Sequence, residues 1–173
     1  DSVLDRMGRG HSVDGYRRLV ERLRADVPGI ALSTDVIVGF SGETGEEFDA
    51  TVGLMEEIRY DSAFLFKYSE RDLTRAHKQL PDDVPETVKG ERLSRVIALQ
   101  ESISAEVYAD RIGREVEVLV TGPSKKDPVD LTGRSEDFKT TILRGGAATH
   151  APGDLVRARV TAATAHTLIA SVG

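Results

Sequence analysis

The stretch from residue 30 to residue 44 constrains the fold more than any other part of the chain. An apolar, β-branched run at residues 36–38 is followed by a turn with two glycines and then by Thr44. Thr44, with Glu47 three residues later, predicts a capping box at the start of a helix. A strand, a glycine turn and a helix in this order are typical of a parallel α/β sheet, whose ligands bind at the carboxyl ends of the strands.

Side-chain alternation along this predicted strand places Asp35 and Ile37 on the same face. An acid next to an apolar side chain suits a polyol beside a flat aromatic base, as in a nucleoside. A buried strand with an acid near its end explains the same pattern. A phosphate loop is rejected, because three glutamates around the predicted first turn of the helix would repel an anion and no G-x-x-x-x-G-K-[ST] run is present.

The first two thirds of the chain predict helices alternating with strands. We expect strands at residues 30–40 and 61–69, joined by a helix at 45–59, which is the spacing of a right-handed crossover in a parallel sheet. A polar connector at 70–85 leads to a long helix at 86–111. Ser12 caps an earlier helix, whose apolar stripe comprises Tyr16, Leu19, Val20, Leu23 and Val27. The buried side of the long helix is predicted as Leu93, Val96, Ile97, Ile103 and Val107.

The sequence changes character at Gly113. Five short β-rich segments follow, at residues 114–121, 131–135, 139–143, 155–162 and 167–172. Short strands punctuated by glycine predict a small antiparallel barrel. We therefore expect two domains, an α/β domain at residues 1–112 and a barrel at 113–173.

Composition excludes several classes of protein. No apolar run approaches 18 residues and the first residues carry no apolar signal segment, so we expect a cytoplasmic protein that does not span a membrane. The chain has no cysteine, which excludes disulfides and thiolate metal sites within it. Its four histidines lack the spacing of a zinc site.

The run VIVGFSGET at residues 36–44 resembles the fifth-strand motif of radical S-adenosylmethionine (SAM) enzymes, usually IVGFPGET, with Ser41 in place of the proline. Its flanks resemble the methylthiotransferase branch. The resemblance implies that residues 1–112 are the carboxyl-terminal part of a parallel α/β barrel. The C-x-x-x-C-x-x-C cluster motif is absent, and the chain starts inside a predicted helix. We therefore expect part of a larger protein, with the ligands of the family's two [4Fe–4S] clusters outside this chain and the fragment alone inactive.

The same resemblance implies a set of SAM-binding residues and no catalytic residue in this chain. Residues 7–11 fit the family segment M-x-R-x-[YH], which places Arg9 at the methionyl carboxylate of SAM. Asp35 would accept hydrogen bonds from the ribose, Ile37 would pack on the adenine, and Ser69 would lie near the same ring. These residues orient the cofactor. Without the resemblance, Arg9 would be a solvated turn arginine.

GPSKKD at residues 122–127 and LTGRS at 131–135 resemble the TRAM domain, an OB-like RNA-binding barrel of the MiaB-like branch. We predict that Lys125, Lys126, Arg134 and Lys139 form a basic track for a phosphate backbone, although a paired-lysine turn is more often simply solvated. From residue 113 on, 8 basic and 7 acidic residues give a net charge of +1, so binding should be modest and salt-sensitive. Phe138 stands where the family often has asparagine, and no exposed aromatic ladder is evident.

The resemblance implies a MiaB-like radical SAM tRNA methylthiotransferase. Such enzymes add a methylthio group to carbon 2 of N6-isopentenyl-adenosine at position 37 of tRNA, so the expected partners are SAM and the anticodon stem-loop. Two sister activities stay open, on threonylcarbamoyl-adenosine and on a ribosomal-protein aspartate. A non-catalytic RNA-binding module is a further alternative. The phrases YDSAF at residues 60–64 and GPSKK favour the first activity.

Overall fold

The computed structural model describes residues 1–172, and the chain forms two compact units, Asp1–Gln100 and the part that begins at Glu101. The elements that lie in or begin in the first unit are α1 (Ser2–Met7), α2 (Val13–Asp26), β1 (Ser33–Val38), α3 (Gly45–Ile58), β2 (Ser62–Lys67), α4 (Arg75–Gln79) and α5 (Glu86–Ala109). No helix in the described part of the chain is both long and apolar enough to cross a membrane.

The two strands of the first unit pair in parallel, with Asp35 opposite Phe64 and Ile37 opposite Phe66. This confirms the predicted parallel pairing of the two strands joined by α3, although both strands are shorter than expected. The capping box is also confirmed: Glu47 N–H donates to the Thr44 hydroxyl, and Thr44 N–H donates to the Glu47 carboxylate. Local signals therefore define the start of α3 correctly.

One face of β1 packs against the helices, and the other is exposed. Val38 lies in a core whose further buried members are Val20, Phe48, Val52, Met55, Ile58, Tyr60 and Val96. Asp35 and Ile37 lie on the opposite, exposed face, together with Phe64 and Phe66 of β2. The predicted alternation along β1 is therefore confirmed.

Some predicted core positions are wrong. Leu19, Val27 and Ile97 are between 40% and 51% exposed. Leu19 and Ile97 are each next in sequence to a buried valine, Val20 and Val96. One residue along a helix is a rotation of about 100°, which turns the side chain out of a narrow buried stripe. Val27 follows the last residue of α2 and no longer continues its apolar face. The polar connector also contains α4, which the Thr74 hydroxyl caps by accepting from His77 N–H.

The second unit contains a closed five-stranded barrel, as predicted. Its strands are β3 (Glu115–Pro123), β4 (Leu131–Ser135), β5 (Thr140–Arg144), β6 (Leu155–Thr164) and β7 (Thr167–Val172), in the order β3-β4-β5-β7-β6. Alternate side chains point inward, most regularly along β3.

The expectation of a wholly antiparallel barrel is wrong at one pair, because β5 and β7 run parallel. Strand directions cannot alternate all the way around a closed ring of five, so one parallel pair is unavoidable. Gly133 on β4 lets two strands approach closely, since an added Cβ would lie 2.4 Å from the carbonyl oxygen of Leu119. This explains the glycine of the LTGRS run.

Candidate cofactor pocket and nucleic-acid interface

A cavity of about 610 Å³ in the first unit is lined by α1, the turn after it, α2, β1, the loop after β1, and α3. This volume is typical of sites for small ligands. Arg9, Asp35 and Ile37 all line the cavity, so the structure brings three of the four predicted cofactor residues together. Ser69 is exposed and does not line it.

The charges of Arg9 and Asp35 are unpaired among the residues that the structure describes. Arg9 follows Gly8, which ends α1 with a left-handed φ of 72°, and Arg9 N–H donates to the carbonyl of Leu4 at 2.8 Å. Both side chains are exposed, and neither makes an ion pair or a side-chain hydrogen bond within residues 1–172. A guanidinium and a carboxylate are thus available to a ligand of the cavity.

The cavity has an acidic wall. Glu43, Glu46 and Glu47 line it on the side of the loop after β1 and the first turn of α3. Arg6 pairs with Glu47 and Arg92 pairs with Glu43, so Glu46 is the glutamate of this wall that has no ion pair in the described residues. An unpaired carboxylate favours a cationic ligand and disfavours a phosphate. This agrees with the rejection of a phosphate loop from the sequence.

Arg6 fastens α1 to the first turn of α3. Its Nη1 and Nη2 groups donate to the two carboxylate oxygens of Glu47 at 2.9 and 2.7 Å, and its Nε group donates to the carbonyl of Ser41 at 3.1 Å. The Ser2 hydroxyl also donates to Glu47. The Arg6 hydrogen bonds lower the pKa of Glu47 to about 2. This clamp fixes the helix that leads into Arg9.

A buried ion pair holds the loop after β1. Glu43 Oε2 accepts from Gly39 N–H at 2.6 Å and from Arg92 Nη1 at 2.7 Å, and burial raises the pKa of Glu43. Gly39 has a φ of 73°, and an added Cβ would lie 2.5 Å from the side chain of Lys89. Sequence reasoning missed Arg6 and Arg92, because their partners Glu47 and Glu43 lie 41 and 49 residues away in the sequence. It also missed Lys89, because the approach of its side chain to Gly39 depends on the path of the turn after β1.

The second unit presents three of the four predicted basic residues at its surface. Lys125 and Lys126 lie in the exposed turn between β3 and β4, and Arg134 is exposed on β4. Lys139 is different: its side chain is 2% exposed, and its Nζ lies 3.0 Å from Asp137 Oδ2. This placement argues against a phosphate contact by Lys139, because its ammonium group is out of solvent and already ion-paired. We therefore assign Lys139 a structural role in place of the predicted contact with a phosphate backbone.

Asp137 joins the end of α5 to the turn between β4 and β5. Its Oδ2 lies 2.6 Å from Arg111 Nη2, and its Oδ1 accepts from the Ser135 hydroxyl at 2.5 Å. Burial of Asp137 opposes ionisation, but the hydrogen bonds from Ser135 and Lys139 outweigh it and the pKa of Asp137 falls below its ordinary value. The turn between these strands is therefore held by buried charges.

Iron–sulfur ligation does not fit the residues of this chain. The sequence contains no cysteine. Within residues 1–172 no three His, Asp or Glu side chains come together as metal ligands. The residues of this chain alone therefore cannot bind an iron–sulfur cluster.

Comparison with known proteins identifies relatives along almost the whole chain. Residues 110–172 match the TRAM domain family. The chain is 47% identical over 167 residues to a tRNA-2-methylthio-N(6)-dimethylallyladenosine synthase of Chlorobium limicola, covering 96% of this chain and 37% of that protein. A synthase of the same name from Porphyromonas gingivalis is 44% identical over 172 residues, covering 99% of this chain and 37% of that protein. The chain thus spans little more than a third of the curated relatives it matches, in their carboxyl-terminal part.

Proposed function

We propose that this chain, which belongs by sequence to the family of those MiaB-like synthases, is the carboxyl-terminal part of a radical SAM tRNA methylthiotransferase. The reaction would add a methylthio group to carbon 2 of N6-isopentenyl-adenosine at position 37 of tRNA. The dimethylallyladenosine in the names of the relatives favours this activity over the two sister activities. The structural observation that carries the proposal is the cavity on which the unpaired charges of Arg9 and Asp35 converge.

The first unit is proposed to be the end of the SAM-binding α/β barrel, with β1 and β2 as two neighbouring strands. Their exposed face, with Asp35, Ile37, Phe64 and Phe66, would then face the lumen. An apolar and aromatic sheet face of this kind needs covering, which the remaining strands of a barrel would provide. The domain limits predicted from the sequence, residues 1–112 and 113–173, are kept as part of this proposal.

Each pocket residue has a proposed role in holding SAM. Arg9 would grip the carboxylate, for which a planar fork of donors is suited. Asp35 would accept hydrogen bonds from the ribose hydroxyls, and Ile37 would pack against the adenine. Ser69 does not line the cavity of this chain, so it would contact the adenine ring only at the edge of the site. The carboxylate of Glu46, which lines the cavity without an ion pair in the described residues, suits the positive charge of a sulfonium.

SAM supplies a carbon radical when a reduced cluster cleaves it. The residues of this chain contribute binding and orientation only, since none of them can hold a cluster or is placed to make or break a bond. The cluster ligands and the catalytic residues are proposed to lie in the remainder of a longer protein. A three-cysteine motif in that remainder would distinguish the methylthiotransferase from a non-catalytic RNA-binding module.

The second unit is proposed to bind tRNA in the cytoplasm, at or near the anticodon stem-loop. Lys125, Lys126 and Arg134 would contact phosphates, which position the tRNA without reading its sequence. The support for this proposal is their exposure around the β3–β4 turn and along β4, together with the TRAM match. Lys139 is left out because it is buried.

The test of this surface is tRNA binding by the chain at several salt concentrations. Lys125→Ala/Lys126→Ala should weaken binding to different tRNAs about equally and lower the slope of log affinity against log salt by about one unit or less for each lysine. Arg157→Ala/Arg159→Ala is the matched control, because it removes the same charge from β6, where both arginines face glutamates of β3.

Circular dichroism should show all these variants folded, since exposed side chains contribute little to stability. If the lysine variant keeps the affinity and the salt slope of the wild type, the β3–β4 turn is not the RNA surface. If the arginine control changes both as strongly as the lysine variant, only net charge matters and the proposed site is wrong.

A further inference from the structure

The turn between β4 and β5 exposes a single aromatic ring. Phe138 is 76% exposed and has a φ of 63°, in the left-handed region that bulky residues rarely adopt. Neither feature helps the barrel to fold, because the ring buries little surface and the backbone is strained. A strained, exposed aromatic residue in a well-defined turn is a candidate for binding.

Hydrogen bonds hold this turn in place without a ligand. Phe138 N–H donates to the carbonyl of Ser135 at 2.9 Å, and Ser135 N–H donates to the carbonyl of Lys139 at 3.0 Å. Lys139 N–H also donates to the Ser135 hydroxyl at 3.0 Å. Below the turn lie the buried charges of Asp137, Arg111 and Lys139. The ring is thus presented from a preorganised backbone, which lowers the entropy lost on binding.

A cation lies over one face of the ring. The guanidinium carbon of Arg134 is 5.1 Å from the centre of the Phe138 ring. Arg134 Nη1 donates to the Thr140 hydroxyl at 2.8 Å and to the carbonyl of Phe138 at 3.3 Å, which fixes the guanidinium in this position. Its Nη2 and Nε groups have no acceptor among residues 1–172 and are available to a ligand.

An aromatic face next to a guanidinium is the combination that binds unpaired nucleotides in single-strand-binding proteins, where the base stacks and the cation attracts the phosphate. A base in a duplex is already stacked on both sides and cannot use the ring. We propose that Phe138 and Arg134 bind one unpaired RNA nucleotide, with its base stacked on the ring face of Phe138 that Arg134 does not cover and its phosphate on Arg134. The inference rests on the proposed tRNA binding and adds a preference for unpaired over paired RNA.

The proposed stacking site and the turn with Lys125 and Lys126 lie at opposite ends of β4. Lys125 and Lys126 follow β3 at one end of β4, and Phe138 lies beyond the other end. The five residues of β4 span about 16 Å at about 3.3 Å each. A strand of RNA along β4 would contact phosphate-binding lysines at one end and the stacking site at the other.

The test uses octaadenylate with one central 2-aminopurine, whose fluorescence is quenched by stacking, and a short RNA hairpin duplex as the paired probe. Phe138→Tyr keeps the ring and should bind octaadenylate as the wild type does. Phe138→Asn removes the ring and should weaken octaadenylate binding about 5- to 140-fold and abolish the quenching added by the protein. Its salt slope and its affinity for the duplex should stay unchanged, because no phosphate contact is lost.

Leu73→Asn is the matched control. Leu73 is 84% exposed with a φ of 69°, so the substitution removes an equally exposed apolar side chain from an equally strained backbone in the first unit. Asparagine tolerates this backbone region, so both variants should fold. Octaadenylate binding by Leu73→Asn should equal that of the wild type.

Three results would overturn the inference. If Phe138→Asn keeps wild-type affinity and quenching while the lysine variant binds weakly, the stacking site is wrong and the phosphate surface stands. A wild-type chain that binds neither probe nor tRNA removes the RNA surface as well. A wild-type dimer that Phe138→Asn converts to a monomer, measured by sedimentation, assigns the ring to contact with a second copy of the chain.

Discussion

Replacing Glu47 with glutamine should destabilise the first unit at neutral pH and remove most of its sensitivity to acid. Both carboxylate oxygens of Glu47 accept from Arg6, at 2.9 and 2.7 Å, and the Glu47 side chain is only 16% exposed. Glutamine can still serve the capping box at Thr44. Its amide has one acceptor atom instead of two, so it cannot form the bidentate pair with the guanidinium, and it cannot balance the charge of Arg6. The variant therefore separates the ion pair from the helix cap.

The magnitude follows from the pKa of Glu47, which the Arg6 hydrogen bonds lower from 4.5 to about 2. At 1.36 kcal/mol for each pH unit, this lowering corresponds to at most about 3 kcal/mol. Arg6 is 29% exposed and solvent screens the pair, so we expect a loss of about 1–3 kcal/mol. Because the folded pKa lies below the unfolded one, this stabilisation is complete above pH 4.5 or so and is lost as the pH falls towards 2.

The assay is urea unfolding of the chain at pH 7, 5 and 3, followed by tyrosine fluorescence. Three of the four tyrosines, Tyr16, Tyr60 and Tyr68, lie in the first unit. Glu46→Gln is the control, since Glu46 is an exposed neighbour in the same helical turn without an ion pair in the described residues. If Glu47→Gln loses as much stability between pH 5 and pH 3 as the wild type does, the Arg6–Glu47 pair is not the source of the acid sensitivity.

Two further changes test the proposed sites. Asp35→Ala in the whole protein should weaken SAM binding by about 1–3 kcal/mol with unchanged iron content; unaltered affinity in calorimetry would remove Asp35 from the site. Lys139→Met should lower barrel stability by about 1–3 kcal/mol, because Asp137 loses one of the two cations paired with it, but should leave the salt slope of tRNA binding unchanged. A slope that falls as in the Lys125→Ala/Lys126→Ala variant would return Lys139 to the RNA surface.

Features encoded by neighbouring residues could be predicted from the sequence. The capping box of α3 needs only Thr44 and Glu47, and the structure contains both of its hydrogen bonds. Two barrel strands, 131–135 and 167–172, match the predicted limits at both ends. The face shared by Asp35 and Ile37 follows from alternation within one strand, so it did not depend on the rest of the fold.

Features that depend on distant partners could not be predicted. Glu43 looks like an exposed acid at a helix start, yet it is buried because Arg92, 49 residues later, neutralises it. Leu19 and Ile97 are predicted as core residues but are exposed. The spacing of apolar residues shows which side of a helix faces the core, but not how wide a part of that side the neighbouring elements will cover. Tertiary partners decide both cases.

Lys139 and Phe138 show how one turn can reverse two sequence-based expectations. The sequence alone predicts that Lys139 points outward and belongs to the basic track. It shows Phe138 only as a departure from the family pattern. The structure turns Lys139 inward to Asp137, where Arg111, two residues after the end of α5, completes the charge cluster. The same turn then leaves Phe138 outside with a left-handed φ. The buried lysine and the exposed ring are therefore two consequences of one charge-stabilised turn, and the proposed RNA binding assigns a role to the ring alone.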